Sequence, residues 1–173
     1  MNPACHFTAK KTAFLGLLTA LALIMGYVEY LIPFRFPVPG VKLGLPNIVI
    51  LVVLYLYGFR EAFTISFIRI ILSGVLFGNV FGIFYSLTGL LISLPVMNIL
   101  KKSRFFTVTG VSAAGGALFN TGQILAACIA SLTPEIIRYL PVLLIAGEAA
   151  GVIIGIIDTI LLNRLRHPVR PEI

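Results

Sequence analysis

VFGIFYSLTGLLISLPVMNIL, residues 80–100, is an apolar run of 21 residues that contains no charged side chain. With a rise of 1.5 Å per residue, a helix over this run is about 31 Å long. That length matches the hydrocarbon core of a bilayer, which is about 30 Å thick. The run therefore predicts a transmembrane helix.

The rest of the chain is also rich in apolar residues and poor in charged ones. Its 173 residues are 59% hydrophobic and only 11% charged, whereas a soluble domain carries about 25% charged residues. This composition excludes an ordinary water-soluble globule and predicts one polytopic membrane domain over residues 1–173. The sequence lacks the G-x-x-x-x-G-K-[ST] phosphate loop, so energy for transport would come from a partner or an ion gradient.

Counting such apolar runs predicts an all-α bundle of six transmembrane helices. The candidate spans are Thr12–Ile32, Leu45–Tyr57, Glu61–Phe77, Val80–Leu100, Thr109–Leu132 and Tyr139–Leu162. Only GFRE, residues 58–61, separates the second span from the third, which predicts a tight helical hairpin. One continuous helix there would expose Arg60 and Glu61 to lipid, which is unfavourable.

The distribution of basic residues predicts the orientation. With six spans and a cytoplasmic N-terminus, nine Lys and Arg residues lie in cytoplasmic segments and three lie outside. This asymmetry follows the positive-inside rule, and it accounts for the net charge of +7 without nucleic acid. We therefore expect a bacterial cytoplasmic-membrane protein with a cytoplasmic leader (1–11), an outer re-entrant loop (33–46) and a cytoplasmic tail (163–173).

The predicted outer loop has an unusual composition. It contains four prolines, two glycines and Lys42, and proline restricts the backbone and removes hydrogen-bond donors. Irregular backbone near membrane depth is tolerated where it lines a cavity or is buried in protein. The loop is therefore either a stiff cap over an outward-facing pocket or an ordinary loop anchored by its basic residues.

Ionisable and amide side chains recur within the apolar spans. Arg69 is near the middle of the third span, where a charge is costly and usually paired. It is expected to pair with Glu29 or Glu148, either as a structural ion pair or as a group that holds an anionic ligand. Asp158 is expected to have a structural or partner-contact role.

Asn120 and Gln123 are three residues apart and share one face of the fifth span. They would form hydrogen bonds between helices or line a cavity. The residues predicted to bind the ligand are Lys42, Asn47, Arg69, Asn79, Asn120, Gln123 and Glu148.

Four segments resemble the Gx transporter family, which is also called heptaprenyl diphosphate synthase component I: PGVKLGLPNIV, FIRIILSGVLFG, SLTGLLISLPVMNILKK and FNTGQI. The resemblance covers about residues 14–160, and Phe119 stands where it leads us to expect histidine. It implies a layout similar to the S components of energy-coupling factor vitamin transporters. Those are six-helix proteins with a loop over the ligand and a first helix that contacts a transmembrane coupling subunit.

These observations predict a membrane substrate-binding or transport component and not an enzyme. Its ligand would be a small, anionic or isoprenoid-, quinone- or vitamin-related molecule, with no cofactor or metal. A transmembrane coupling subunit and ATPases are possible partners, besides membrane lipid. The alternative is a non-catalytic subunit or anchor for prenyl diphosphate or quinone synthesis, or for flavin or quinone redox proteins. Asp158 is the sole aspartate, so the chain cannot build the aspartate clusters that hold magnesium at a diphosphate.

Overall fold

The computed structural model describes residues 9–31, 44–77, 80–103, 105–131 and 134–166, and all regular structure within these ranges is helical. The six helices are α1 (Ala9–Leu31), α2 (Asn47–Leu56), α3 (Phe59–Leu76), α4 (Val80–Ser103), α5 (Val108–Ser131) and α6 (Leu140–Arg166). A short 3-10 helix, Pro134–Tyr139, precedes α6. The predicted all-α class is confirmed for these residues. The predicted leader, outer loop and tail lie largely outside them.

The predicted break between the second and third helices is present. α2 ends at Leu56 and α3 begins at Phe59, and Gly58 between them has a φ of +108°. Residues with a Cβ rarely adopt this left-handed region. From α4, the Lys101 ammonium donates a hydrogen bond of 2.6 Å to the Leu54 carbonyl in the last turn of α2. This contact satisfies a carbonyl that the end of a helix leaves unpaired.

The short helix α2 is the most enclosed element. Six consecutive residues, 49–54, are buried, and the helix contacts α1, α3 and α6. A helix that is apolar on every side is normally buried, and the sequence NIVILVVLYL fits this rule. Its 10 residues extend only about 15 Å along the axis.

The helices α4, α5 and α6 make the most extensive contacts in the described structure. Glycines allow their backbones to approach closely. A Cβ added at Gly151 would lie 2.7 Å from the Ala113 Cα, and one at Gly122 would lie 2.7 Å from the Gly89 Cα. Small residues at such crossings are typical of membrane helices, which gain little from hiding apolar surface from water.

Four helical segments are long and apolar enough to cross a membrane: Lys11–Leu31, Val80–Ser103, Val108–Ala130 and Glu135–Leu165. They correspond to α1, α4, α5 and α6. The helix α2 is too short to qualify, and α3 carries Arg60, Glu61 and Arg69. The chain therefore has the character of a multi-pass membrane protein, and the number of six spans remains a prediction.

Candidate ligand-binding site

The buried charge in α3 lies on the face that packs inward. The buried residues of this helix recur every three or four positions, and they are Ala62, Ile65, Ser66, Arg69, Ile70, Ser73 and Gly74. The Arg69 side chain is only 6% exposed, and Glu29 in α1 is 9% exposed. The charge of Glu29 acts on the Arg69 guanidinium. Of the two partners proposed for Arg69, the structure thus favours Glu29.

Glu29 also holds the chain at the start of α2. Its Oε1 accepts a hydrogen bond of 2.6 Å from the Gly44 backbone N–H. Gly44 has a φ of +86°, and a Cβ there would lie 2.9 Å from the Asn47 Nδ2. Both facts favour glycine. One buried carboxylate therefore interacts with the α3 arginine and with the residue that directly follows segment 32–43.

A small cavity lies beside Arg69 among α1, α3 and α4. Its lining includes Arg69, two serines and two aromatic rings, and the full set is Tyr30, Arg69, Ile70, Ser73, Gly74, Phe77, Gly82, Ile83 and Ser86. Its volume of about 30 Å³ is enough for one or two water molecules. Pockets for larger ligands measure roughly 300–1,000 Å³, so the cavity in this structure is too small for such a ligand.

Aromatic rings cover one side of the cavity. The Phe77 ring stacks on Tyr30 with the ring centroids 5.2 Å apart, and on Tyr27 at 5.5 Å. Because both tyrosines belong to α1 and Phe77 directly follows α3, these contacts join the ends of the two helices.

The two amide side chains of α5, Asn120 and Gln123, lie away from the Arg69 cavity. Asn120 is buried, and its Nδ2 donates a hydrogen bond of 2.9 Å to the Leu143 carbonyl of α6. This contact matches the interhelical hydrogen bond that the sequence allowed. Gln123 is 1% exposed, and within the described ranges its Oε1 and Nε2 make no hydrogen bond. Neither residue lines the Arg69 cavity.

Asn47 is half-buried at the start of α2 and lines a different, very small space. That space lies against α4, α5 and α6 and is bounded also by Met97, Ser112, Gly116 and Ile154. Its volume of about 10 Å³ leaves room for one water molecule at most. Asn47 thus borders the bundle centre, one turn from the Gly44–Glu29 contact.

The expected inward orientation of Glu148 needs correction, because its side chain is exposed. The buried face of α6 contains Gly147, Gly151, Gly155 and Asp158. Successive residues of a helix are rotated by about 100°, so Glu148 points away from that face. Lys42 and Asn79, the other two predicted ligand contacts, lie outside the described residues.

Asp158 is completely buried near the end of α6, and neither carboxylate oxygen has a hydrogen-bond partner in the part of the chain that is described. It lies one turn beyond Gly155, where an added Cβ would approach the Thr109 Cα and Ser112 Cβ of α5. Asp158 does not line the Arg69 cavity, and its structural or partner-contact role stays a prediction. Among the described residues, no three His, Cys, Asp or Glu side chains cluster as metal ligands would.

Four residues that line the cavity were not among the predicted ligand contacts: Tyr30, Ser73, Phe77 and Ser86. Ser73 is four residues after Arg69 and therefore on the same helical face. In α4 the buried Gly82, Ser86, Gly89 and Ser93 follow helical spacing and form a stripe of small residues. This stripe was the signal that could have identified Ser86 as an inward-facing residue.

These features describe an all-helical membrane protein with a buried arginine and a buried glutamate near a small cavity. The chain belongs to the heptaprenyl diphosphate synthase component I family, whose model matches residues 18–161. The resemblance seen in the four motifs is therefore confirmed. No curated protein and no solved structure matches the chain.

Proposed function

We propose that this protein is a six-span, N-in/C-in component of the bacterial cytoplasmic membrane that binds a small molecule for transport. The ligand would be anionic or related to isoprenoids, quinones or vitamins. The observation that carries the proposal is the buried Arg69, which lies at a cavity and on which the charge of Glu29 acts. A buried cation in a membrane protein is costly and usually functional.

The arrangement suggests how a ligand would be held. An anionic group that entered the cavity would replace Glu29 as the counter-charge of Arg69, and the guanidinium can donate two parallel hydrogen bonds to it. Ser73 and Ser86 would offer hydroxyl groups, and Tyr30 and Phe77 would provide apolar walls. Lys42 and Asn79 would add contacts from the outer side.

The same contacts would link binding to the outer loop. Glu29 accepts the Gly44 N–H, so a ligand that changed the position of this carboxylate would also affect the start of α2. The exposed apolar face of α1, which includes Leu17, Leu21 and Ile24, would contact a transmembrane coupling subunit. ATPases bound to that subunit would supply the energy.

The test is to purify the wild-type protein and the variant Arg69→Gln and to identify co-purified small molecules by mass spectrometry. We expect a stoichiometric anionic molecule with the wild type and its loss with Arg69→Gln and Lys42→Ala, while membrane insertion is retained. Glu148→Gln is the matched control, because it also removes one charge, from an exposed side chain. Equal retention in Arg69→Gln and wild type would refute the site.

A second function is favoured by the family description, which names a synthase component. In this reading, the protein is a non-catalytic membrane subunit or anchor for prenyl diphosphate or quinone synthesis, or for flavin or quinone redox proteins. It predicts stoichiometric co-purification with a soluble enzyme and no bound small molecule. The single aspartate argues against catalysis of diphosphate chemistry by this chain alone.

A further inference from the structure

A groove runs along the surface of the bundle between α1 and α3, separate from the Arg69 cavity. Its volume is about 420 Å³, within the range of small-molecule sites. We call it the α1–α3 groove, and its lining residues are Thr12, Leu15, Gly16, Thr19, Arg60, Glu61, Thr64, Ile65 and Ile68. Ile65 is buried, whereas Gly16, Thr64 and Ile68 are exposed. The groove is therefore open along its length to the surroundings of the bundle.

Most of the groove is apolar. The hydroxyl groups of Thr19 and Thr64 donate to carbonyls of their own helices, those of Leu15 and Arg60. Because these hydroxyls are already bonded, the two threonines offer mainly their methyl groups. From Arg60 to Ile68 the wall extends about 12 Å along α3, which is less than half of the roughly 30 Å hydrocarbon core. The groove thus fits within a single leaflet of the bilayer.

The charged end of the groove lies where both helices begin. Lys11 of α1 donates a hydrogen bond of 2.7 Å to the Glu61 carboxylate of α3, so the starts of the two helices lie at the same depth. The Lys11 ammonium also lies 5.8 Å from the centroid of the Tyr57 ring. Tyrosine is enriched where a membrane meets water, at the level of the lipid headgroups. These contacts indicate that the charged end of the groove lies at headgroup level.

This end of the groove has an excess of positive charge. Two cations, Lys11 and Arg60, act on one acid, Glu61, and they leave one positive charge. Arg60 is exposed, and within the described ranges its guanidinium forms no salt bridge. An arginine in this setting can donate two parallel hydrogen bonds to a phosphate. Basic pockets between helices on the cytoplasmic side attract anionic lipid headgroups.

We propose that the α1–α3 groove binds an anionic phospholipid of the cytoplasmic leaflet, with its phosphate at Arg60 and part of one acyl chain along Gly16 and Ile65. A molecule that itself lies in a leaflet matches both the lateral opening and the charged end. A zwitterionic lipid fits less well, because Lys11 and Arg60 would repel its ammonium group and Glu61 is already bonded. The inference rests on the proposed function only in assigning this end of the groove to the cytoplasmic side.

Gly16 keeps the groove open. A Cβ added at Gly16 would meet no atom within 4 Å, whereas one at Gly122 or Gly151 would lie 2.7 Å from the backbone of the neighbouring helix. Glycine weakens a helix relative to alanine, and no close helix contact requires it at position 16. Its effect here is to leave room between α1 and α3, as the binding of an acyl chain would need.

Two variants test the two ends of the site, each with a matched control. Gly16→Leu should fill the groove, and Ala13→Leu introduces the same side chain at an exposed position of α1 outside the groove. Arg60→Gln removes the charge at the phosphate, and Arg164→Gln removes the same charge from an exposed position near the end of α6. Circular dichroism and size exclusion would verify that all four variants fold.

The experiment measures lipid binding to the detergent-purified full chain by native mass spectrometry. The probes are phosphatidylglycerol and phosphatidylethanolamine with identical acyl chains, and inorganic phosphate. We expect the wild type to bind one phosphatidylglycerol at least about fivefold more tightly than phosphatidylethanolamine, because of the two basic residues. Gly16→Leu and Arg60→Gln should each weaken phosphatidylglycerol binding at least about tenfold, through loss of apolar contact or of charge-assisted hydrogen bonds. Both controls should bind like the wild type.

Four outcomes would overturn the proposal. Equal binding of phosphatidylglycerol and phosphatidylethanolamine would show contact with lipid of any kind, and inorganic phosphate that bound as tightly as phosphatidylglycerol would show a site for a soluble anion. Equal losses in Arg60→Gln and Arg164→Gln would assign the effect to overall charge. Unchanged phosphatidylglycerol binding in Gly16→Leu, with or without loss of a co-purifying membrane protein, would exclude the groove as the lipid site.

The groove and the Arg69 cavity can be tested independently. Arg69→Gln should leave phosphatidylglycerol binding unchanged, because Arg69 does not line the α1–α3 groove. Arg60→Gln should in turn leave the molecule that co-purifies with the wild type in place. Failure of the proposed function and failure of the lipid site therefore give different results.

Discussion

Replacing a glycine by alanine adds one methyl group, which should destabilise the protein only where the glycine lies at a close crossing of two helices. A Cβ at Gly151 would lie 2.7 Å from the Ala113 Cα, a backbone atom that cannot move without separating α5 and α6. Gly151→Ala should therefore lower the free energy of unfolding by about 1–3 kcal/mol, the usual cost of overpacking. Thermal unfolding in detergent, followed by circular dichroism, would measure the change.

Gly16→Ala is the matched control for this substitution. It introduces the same side chain in another apolar helix, at a position where the Cβ meets nothing within 4 Å. Alanine favours helix over glycine by about 0.5–1 kcal/mol, so its midpoint should be equal to that of the wild type or higher. Equal destabilisation by the two substitutions would contradict the close α5–α6 crossing.

Glu29 should stabilise both the buried side chain of Arg69 and the start of α2. Glu29→Ala removes the counter-charge of Arg69 and the acceptor of the Gly44 N–H. Removing the acceptor of a buried hydrogen bond leaves its donor unpaired, which costs about 1–3 kcal/mol. We expect faster hydrogen exchange at residues 44–50, measured by mass spectrometry, and a lower unfolding temperature.

Glu148→Ala serves as the control for Glu29→Ala, since the Glu148 side chain is exposed. It should leave the exchange at residues 44–50 unchanged. If Glu29→Ala also left that exchange unchanged, the contact between Glu29 and Gly44 would not hold the segment.

For single residues, the sequence predicts burial better than it predicts which partner a buried side chain has. The cost of a charge in lipid correctly indicated that Arg69 is buried, but the sequence left its partner open between Glu29 and Glu148. That choice depends on the rotation of α6 about its axis, which the glycine contacts at Gly147 and Gly151 determine. The predicted inward orientation of Glu148 was wrong, because an acidic residue within an apolar helix was assumed to face the interior of the bundle.

At the scale of secondary-structure elements, Lys101 is expected to stabilise the contact between α4 and the end of α2. Its ammonium donates to the Leu54 carbonyl at 2.6 Å and lies 5.2 Å from the Tyr55 ring centroid. Lys101→Met should therefore destabilise the protein by about 1.5–3 kcal/mol, the contribution of a hydrogen bond from a charged group. The thermal unfolding midpoint would report this loss.

Lys102→Met is a closely matched control. It removes the same charge from the same helical turn, but the Lys102 side chain is exposed. Both substitutions change the charge at the end of α4 and the positive-inside bias equally. A similar fall in the midpoint for both variants would assign the effect to charge and not to the contact with α2.

Helix boundaries were more predictable than helix contacts. The break at Gly58 followed from the cost of placing Arg60 and Glu61 in lipid, and the six helices begin and end within four residues of the predicted bounds. The central place of α2 was not predicted. Its apolar residues fit burial on every side, but they fit contact with lipid equally well, and only the contacts with α1, α3 and α6 decide between the two.

At the scale of the whole molecule, the number of membrane crossings depends on the α2–α3 hairpin. Four segments qualify as spans by length and composition, and α1, α4, α5 and α6 alone would give the same location for both termini as six spans. The two arrangements differ at residues 57–60, which lie in the cytoplasm only if α2 and α3 cross. The positive-inside rule favours six crossings, because it places Arg60 on the cytoplasmic side.

Cysteine labelling in intact cells would test this topology. In a background with Cys5→Ser and Cys128→Ser, single substitutions would be made at Arg60, Phe105 and Ile137, whose side chains are all exposed. Six spans predict that a membrane-impermeant maleimide labels Ile137→Cys in intact cells, and labels Phe105→Cys and Arg60→Cys only after permeabilisation. If Arg60→Cys were labelled in intact cells while Phe105→Cys was protected, the hairpin would not cross the membrane.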